Sequence, residues 1–197
     1  ECYGIVYSRT KIGVDEITKR LLERGYAAEG LHGDVSQAQR EKILRKLKNK
    51  KANILVATDV AARGIDINNL THVINYSLPQ DSESYVHRIG RTGRAGNEGT
   101  AITFISNSEL RRFGFMKRDI KVEIKREQLP TAQDVVAMKR NRIKDELISI
   151  IEEGTYTDCE DMAREMLENQ DPGIAMSALL KLAFKNELSE NHYNEIR

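Results

Sequence analysis

The apolar positions in the first half of the chain fall into short runs, which predict β-strands. Four runs are clear and a fifth is weaker: 3–8, 53–58, 72–77 and 100–106, with 27–32 as the weaker one. Several are apolar at successive residues rather than at alternate ones. That pattern is typical of strands buried on both faces of a parallel sheet.

Amphipathic segments that predict helices lie between these runs. Residues 11–25 stop at Gly25, a residue suited to a helix C-cap. Residues 36–49 begin with Ser36 three positions before Gln39, the spacing of a capping box. The alternation of strand and helix predicts an α/β fold with a doubly wound parallel sheet, in which ligands bind at the carboxyl ends of the strands.

The second half of the chain predicts helices only. Residues 120–130 have an extended, linker-like pattern. Three helix starts are indicated by residues suited to N-caps, at Thr131, Thr157 and Asp171. The change of pattern indicates a second structural unit.

Net charge divides the chain in the same way. Residues 1–127 carry 23 Lys and Arg against 16 Asp and Glu, a net +7, whereas residues 128–197 carry 8 against 14, a net −6. A basic half favours a polyanionic partner such as nucleic acid, although a mixed solvated surface gives the same count. We expect an α/β domain over 1–127 and a small all-α domain over 128–197.

Cysteine usage and hydropathy favour a soluble, cytoplasmic protein. Cys2 and Cys159 lie in different halves without the spacing of metal ligands, and we expect both to be reduced. No apolar run has the length of a membrane span, and no charged-then-apolar leader opens the chain. The first residue is Glu1 rather than Met, so we expect the chain to be a piece of a longer protein.

The segment ILVATDVAARGIDI contains a strand that leads directly into a short helical turn at Thr58. The backbone N–H groups and the hydroxyl at such a junction suit a phosphate, to which Arg63 adds charge. Gly64 permits a backbone conformation that other residues resist, and Asp66 can accept hydrogen bonds from ribose hydroxyls. The alternative is a capped turn with a solvated arginine and a structural aspartate.

The segment LHGDVSQAQR offers a similar strand end. Gly33 lets a backbone come close to a ligand, and the helix that follows carries Gln37 and Arg40, an arrangement suited to the phosphates of a nucleic-acid strand. His32 has no partner at metal-ligand spacing, so we expect it to be packed or hydrogen-bonded. We expect no metal site in the chain.

The segment HRIGRTGRAG concentrates arginine and glycine. It lies on a helix predicted to begin near Ser82, and if that helix persists, His87, Arg91 and Arg94 share one face at i, i+4 and i+7. Two arginines aimed at one point suit the charge that develops on a phosphoryl group in transfer. The alternative, a solvated helix end or a structural arginine, is kept for Arg88 alone.

Four segments together resemble motifs of the DEAD-box RNA helicases. GIVYSRTK resembles motif IV, HGDVSQAQR the Gln-x-x-Arg element, ATDVAARGID motif V and HRIGRTGRAG motif VI. Their order and spacing match, and the resemblance covers about residues 1–110. It implies a RecA-like lobe of an ATP-dependent RNA helicase.

The resemblance also implies roles for single residues. Arg91 and Arg94 resemble paired arginine fingers that reach the γ-phosphate of ATP, and His87 resembles the residue that couples this site to the partner lobe. Gly64 and Asp66 match positions near the ribose and the ATP site between the lobes. The positions that match contacts to the RNA backbone are Thr58, Arg63, Gly33, Asp34, Gln37, Arg40 and Arg9.

The chain departs from the family in lacking the parts of the first lobe. It contains no Gly-Lys pair and hence no G-x-x-x-x-G-K-[ST] loop, and the Asp-Glu of 145–148 lies in a predicted helix rather than a buried strand. We therefore expect the C-terminal lobe alone, inactive as an ATPase by itself, with ATP and its Mg²⁺ held by the absent N-terminal lobe. The expected partners are that lobe and single-stranded or duplex RNA, with no membrane.

The helical tail resembles, more loosely, the dimerisation module that follows the second lobe in bacterial cold-shock-type DEAD-box proteins. Its last predicted helix has more apolar residues than one face of a small bundle can hide. The expected homodimer interface contains Ile174, Leu179, Leu180, Leu182 and Phe184. The alternative is a monomeric helical appendage packed on the lobe.

Two rival functions differ from this one in class. In the first, the natural protein is a non-catalytic RNA-binding or assembly module that has a helicase-like surface. In the second, it is an unrelated dinucleotide-binding domain, which is disfavoured because no G-x-G-x-x-G sequence follows a predicted strand.

Overall fold

The chain divides into two compact units, Glu1–Ile124 and Lys125–Arg197. The computed structural model describes residues 2–65, 67, 70–93, 98–120, 122–185, 187–190 and 193. No helix within these ranges is both long enough and apolar enough to cross a bilayer.

Five parallel strands form the sheet of the first unit, in the order β2-β3-β1-β4-β5. The strands are β1 (Gly4–Tyr7), β2 (Ala28–Leu31), β3 (Ile54–Ala57), β4 (His72–Asn75) and β5 (Thr100–Thr103). Each lies within a run predicted as a strand, and all neighbouring pairs are parallel, so the predicted α/β fold is confirmed. The edge strand β5 is largely exposed, unlike the central strands.

Alternate residues of the central strands face two layers of helices. Ile5 of β1 belongs to a core that α2 (Gln37–Lys48) closes on one face of the sheet. Its neighbour Val6 faces the opposite layer, where α1 (Lys11–Glu23) contributes the fully buried Val14. Burial on both faces explains why these strands are apolar at successive positions.

The start of α2 and the end of α1 were predicted from the sequence, and Thr10 caps the start of α1. The hydroxyl of Thr10 accepts a hydrogen bond from the backbone N of Gly13 at 3.0 Å, and the hydroxyl of Ser36 accepts one from the backbone N of Gln39 at 3.3 Å. Gly25, just after α1, has a φ of +80°. The predicted N-cap at Ser36 and stop at Gly25 are therefore confirmed.

Two further helices follow the third and fourth strands: α3 (Asp59–Ala62) and α4 (Ser82–Ile89). The short turn after β3 and the start near Ser82 are both as predicted. At that start, Oδ1 of Asp81 accepts a hydrogen bond from the backbone N of Ser84 at 2.7 Å.

The sequence patterns predict no helix for the segment after β5, where the structure has α5 (Leu110–Asp119). A short 3-10 turn, Asn107–Glu109, precedes it. Phe113 and Met116 of α5 pack with Tyr85 of α4 in a separate apolar cluster. Phe113 and Met116, three residues apart, form the buried side of this amphipathic helix.

The connections from β1 and β4 leave the sheet in opposite directions, because β1 leads to β2 on one side and β4 leads to β5 on the other. In a doubly wound sheet, a crevice opens outside the carboxyl ends of two such neighbouring strands. The loops after Tyr7 and Asn75 therefore border the expected binding site.

The second unit consists of helices, as predicted: α6 (Ala132–Glu153), α7 (Glu160–Leu167) and α8 (Pro172–Phe184). Thr131 and Asp134 form a capping box, and Asp171 caps α8 through the backbone N of Gly173 and Ile174. The cap predicted at Thr157 is wrong. Residues Thr157–Cys159 form a 3-10 turn, and α7 starts after Cys159 without a side-chain cap.

Candidate functional site

An open groove of about 770 Å³ lies at the carboxyl ends of β1, β3 and β4. Its wall includes Tyr7 at the end of β1, Thr58 after β3 and Leu78 after β4. Sequence-predicted site residues on this wall are Arg9, Thr58, Arg63, His87 and Arg91. The structure thus brings together candidates that lie far apart in the sequence.

A buried arginine supports the floor of the groove. Arg88 is 4% exposed and donates two hydrogen bonds to Asp59, from Nε to Oδ1 at 2.6 Å and from Nη2 to Oδ2 at 2.7 Å. Its Nη1 donates to Oδ1 of Asn75 and to the carbonyl of Ser77, both at 2.9 Å. Its guanidinium also lies 4.7 Å from the ring centroid of Tyr7.

The network around Arg88 corrects the prediction of a solvated arginine, and it includes Asn75, a buried partner that no motif contains. Arg88 is structural, as one alternative had it, but the prediction of a solvated arginine is wrong because four residues enclose its guanidinium. Asn75 is fully buried and also donates to Oγ1 of Thr103 at 3.1 Å. A polar residue inside the apolar run HVINYS is the signal that indicates such a buried partner.

Arg91 lies just beyond the end of a helix. Because α4 ends at Ile89 and Gly90 caps it, Arg91 lies outside the helix, and the helical face expected to align it with His87 does not form. Arg91 is half-buried, and its Nη1 donates to the carbonyl of Ile65 at 3.1 Å. His87 is exposed on the groove wall, and Arg94 lies outside the described residues.

The electrostatic environment of the groove floor is set by these arginines. Burial raises the pKa of the Tyr7 phenol, the charges of Arg91 and Arg88 oppose that shift, and the charge of Asp59 adds to it. Tyr7 therefore remains a neutral phenol beside two fixed cations. An anion that enters this groove can contact Arg91, whose half-buried guanidinium is fixed by its hydrogen bond to the carbonyl of Ile65.

The turn after β3 has the predicted form. The hydroxyl of Thr58 accepts a hydrogen bond from the backbone N of Ala61 at 3.4 Å, and Arg63 is exposed at the end of α3. Gly64 has a φ of +71°, which side chains with a Cβ rarely adopt. Asp66, the predicted ribose contact, lies outside the described residues.

Three further predicted contacts to RNA follow β2, and two of them, Asp34 and Gln37, have partners within the chain. Nζ of Lys11 pairs with Oδ2 of Asp34 at 2.6 Å and holds the pKa of that carboxyl below its ordinary value. The side-chain amide of Gln37 donates to Oε1 of Glu41 at 3.2 Å. A Cβ added to Gly33 would meet nothing within 4 Å, so this position has the predicted clearance.

Arg40 and Arg9 are held by different parts of the first unit. Nη2 of Arg40 donates to the carbonyls of Ala61 and Arg63, at 2.8 and 3.3 Å, and so fixes the end of α3. Nη2 of Arg9 pairs with Oε1 of Glu109 at 3.3 Å. Each guanidinium has further N–H groups, so either arginine can bind a phosphate while it keeps or gives up these contacts.

His32 is hydrogen-bonded, as predicted. Its Nε2 lies 3.1 Å from Oδ1 of Asp15, and its side chain is mostly buried. Within the described ranges, no group of three His, Cys, Asp or Glu residues is placed to hold a metal ion.

The predicted dimer residues lie on two sides of α8. Ile174, Leu179 and Leu182 are exposed, Leu182 to 82%, and their spacing places them on one continuous face. Leu180 and Phe184 lie on the opposite side and are half-buried. The exposed face is therefore the part of this helix that is available to a partner.

Comparisons with known proteins match these features. Residues 3–96 match the family described as the helicase conserved C-terminal domain. The protein named ATP-dependent RNA helicase CshA of Listeria monocytogenes is 46% identical over 182 residues, which cover 92% of this chain and 35% of that protein. The DEAD-box ATP-dependent RNA helicase CshA of Geobacillus kaustophilus is 46% identical over 91% of this chain and 38% of its own length. The chain therefore spans just over a third of these relatives.

Solved structures match over a shorter region. A DEAD box protein from Methanococcus jannaschii is 50% identical with a TM-score of 0.61, over 65% of this chain and 35% of that chain. The E. coli DEAD-box protein SrmB, solved with regulator of ribonuclease activity A, is 39% identical with a TM-score of 0.62, over 65% of this chain and 75% of that chain. The covered share is close to that of the first unit, Glu1–Ile124.

Proposed function

The chain belongs to the DEAD-box helicases through its C-terminal RecA-like domain, and from this premise we propose that it supplies the second lobe of an ATP-dependent RNA helicase. In this role, Arg91 and Arg94 stabilise the γ-phosphate during hydrolysis. The observation that carries the proposal is Arg91, which is held by the carbonyl of Ile65 on the wall of a strand-end groove. A planar guanidinium in a fixed position suits the charge that spreads over a phosphoryl group in transfer.

The groove fits the phosphates of ATP but not a magnesium ion. Its wall carries the cationic side chains of Arg63 and Arg91, whereas the carboxylate of Asp59 pairs with Arg88 and that of Asp81 caps α4. We therefore propose that the N-terminal lobe holds ATP and Mg²⁺, and that closure of the two lobes brings Arg91 to the γ-phosphate. In the closed state, His87 couples the lobes, and Gly64 and Asp66 lie near the ribose.

The proposed RNA contacts are to phosphate and sugar. They involve Thr58, Arg63, Gly33, Asp34, Gln37, Arg40 and Arg9. Several of these residues are polar or cationic side chains at the strand ends, with no arrangement that reads a base edge. We therefore expect slight sequence preference and strong dependence on salt.

The test of the catalytic role uses a protein that carries both lobes. We expect Arg91→Ala to lower RNA-stimulated ATP hydrolysis by about 10³-fold or more, while ATP binding changes little. Arg91→Lys should not restore the rate, because lysine lacks the planar fork. Arg24→Ala, which removes an exposed guanidinium at the end of α1, serves as the control.

Two results would contradict this function. The first is an Arg91→Ala protein that keeps its ATPase rate and loses only RNA affinity, as the non-catalytic RNA-binding module requires. The second is ATP turnover above a no-protein blank by this chain alone.

We also propose that the second unit forms a homodimer. In support, Ile174, Leu179 and Leu182 form an exposed apolar face, and the likeness to the CshA proteins extends well into this unit. The mass measured in solution decides between a monomer and a homodimer. A mass near 22.4 kDa at high micromolar concentration contradicts the dimer, whereas twice that value supports it.

A further inference from the structure

We propose that the outward side of α5 is a second contact surface for single-stranded RNA, separate from the strand-end groove. This surface, the α5 outer face, consists of Arg111, Phe115 and Arg118. RNA as the ligand follows from the function proposed above. The location of the surface rests on the contacts of α5 alone.

The basic residues of α5 divide into two groups. Arg112 and Lys117 contact their own unit, Arg112 through Glu109 at 3.4 Å and Lys117 through the carbonyl of Ile124 at 3.2 Å. In the part of the chain that the structure describes, no hydrogen bond or ion pair holds Arg111 or Arg118. These two exposed guanidinium groups are therefore available to a ligand.

An exposed aromatic ring lies between the two arginines. Residues 111, 115 and 118 follow one another at i, i+4 and i+7 and so share one face of the helix. Phe115 is 55% exposed, whereas Phe113 and Met116 pack into the apolar cluster of this unit. The guanidinium of Arg118 lies 5.4 Å from the ring centroid of Phe115. Phe115 is thus not required by the core and is flanked by cations.

This combination fits a nucleotide. A base stacks on an exposed aromatic ring, a guanidinium adds a cation–π contact, and arginines bind the phosphates on either side. A Cβ at the neighbouring Gly114 would meet nothing within 4 Å outside its own chain neighbours, so the surface at this position is open. The excess of 23 basic over 16 acidic residues in 1–127 also favours a polyanion.

The carboxylates at the two ends of α5, Glu109 and Asp119, are already engaged. Oδ2 of Asp119 accepts a hydrogen bond from the hydroxyl of Ser82 at 2.9 Å. Glu109 accepts hydrogen bonds from Ser106 and pairs with Arg9 and Arg112. A single ring between two free cations fits RNA better than an apolar protein partner, which needs a continuous apolar patch.

A tryptophan reporter tests base stacking directly, because the chain contains no tryptophan. We expect single-stranded RNA to quench the fluorescence of the Phe115→Trp chain with the same midpoint as its binding measured by anisotropy. Phe104→Trp is the matched control, since Phe104 is an exposed ring of the same unit that contacts Tyr76 instead. Its emission should change little.

Affinity and salt dependence test the same surface. We expect Phe115→Ala to raise the Kd for single-stranded RNA by about fivefold or more, while Phe115→Tyr keeps it. Replacing Arg111 and Arg118 by Gln should reduce the slope of log K against log salt by about 0.7 for each arginine. In a protein that carries both lobes, Phe115→Ala should leave the RNA-free ATPase rate unchanged.

The outcomes separate this surface from the function proposed above. If Arg9→Ala weakens RNA binding and the Phe115 and arginine variants do not, the α5 outer face is refuted and the strand-end site stands. Quenching of Phe115→Trp by polyglutamate but not by RNA would overturn RNA in favour of an acidic protein partner. If no form of the chain binds RNA, the RNA contacts of the proposed function fail as well.

Discussion

The guanidinium of Arg88 donates two hydrogen bonds, of 2.6 and 2.7 Å, to the carboxylate of Asp59. Arg88 lies near the end of α4, and Asp59 is the first residue of α3. The pair therefore joins the loop after β3 to the helix that precedes Arg91. We infer that this ion pair keeps the two groove walls in register.

We expect Arg88→Ala to lower the free energy of unfolding by about 2–4 kcal/mol. Removing one partner of a buried pair costs about 3–5 kcal/mol, and the 43% exposure of the Asp59 side chain reduces that value. Arg88→Lys keeps the charge but loses the bidentate geometry, so its loss should be intermediate. Urea unfolding of the chain measures both, and a loss below about 0.5 kcal/mol for Arg88→Ala contradicts the role.

The central strands of the sheet could be predicted from the sequence because burial on both faces makes them apolar at successive residues. The central strands β1 and β3 are short apolar runs, and the caps at Ser36 and Asp171 follow from local hydrogen bonding. The segment of α5 has a helical pattern that is short and interrupted by a glycine, and no helix was predicted there. Phe113 and Met116 lie three residues apart and face α4, but Gly114 between them lowers the helix propensity of the segment.

Within the site, sequence reasoning located the loops better than the contacts. Arg9, Thr58 and Arg91 come together because parallel strands end at one edge of the sheet. The alignment of His87 with Arg91 failed because the helix stops at Ile89. The partners of Arg88 come from three separate segments, so no spacing rule predicts them.

Two glycines beside the site should respond differently to an added methyl group. A Cβ at Gly64 or at Gly33 would meet nothing within 4 Å, but only Gly64 has a positive φ, +71°. We expect Gly64→Ala to cost about 1–2 kcal/mol of stability from backbone strain alone, and Gly33→Ala to cost none.

RNA binding provides a second readout for the same pair. Because the proposed RNA backbone passes close to Gly33, Gly33→Ala should weaken RNA binding without a loss of stability. Thermal unfolding and anisotropy measured on the same samples separate the two effects. Equal destabilisation by both substitutions contradicts the assignment of strain to Gly64.

The stability of the first unit should depend on pH through Glu109. The Ser106 hydroxyl donates to Oε2 of Glu109 at 2.6 Å and lowers the pKa of this carboxyl; partial burial opposes the shift, and Arg112 and Arg9 add to it. A lowered pKa in the folded state means that the carboxylate stabilises the fold above pH about 4.5, its ordinary value. That contribution is lost as the pH falls through the lowered pKa.

Glu109→Gln should therefore lower stability at pH 7 by about 0.5–1.5 kcal/mol, and this deficit should shrink as the pH falls below about 4.5. Urea unfolding between pH 7 and pH about 3 measures the difference from the unsubstituted chain. Glu16→Gln, at an exposed position on α1, is the control and should show a smaller effect. A Glu109→Gln deficit that stays constant down to pH about 3 would rule out the carboxylate as its source.

The exposed face of α8 leads to a prediction about the proposed homodimer. Leu182 is 82% exposed and, viewed down the helix axis, lies between Ile174 and Leu179. A dimer through this face of α8 therefore buries it. Leu182→Glu places a charge in the buried contact and should raise the dimer dissociation constant by at least about tenfold. Ser177→Glu adds the same charge at an exposed position on another side of the helix and should leave the mass unchanged. Sedimentation across a concentration series distinguishes the variants, and equal weakening by both would show that net charge, not the α8 face, controls association.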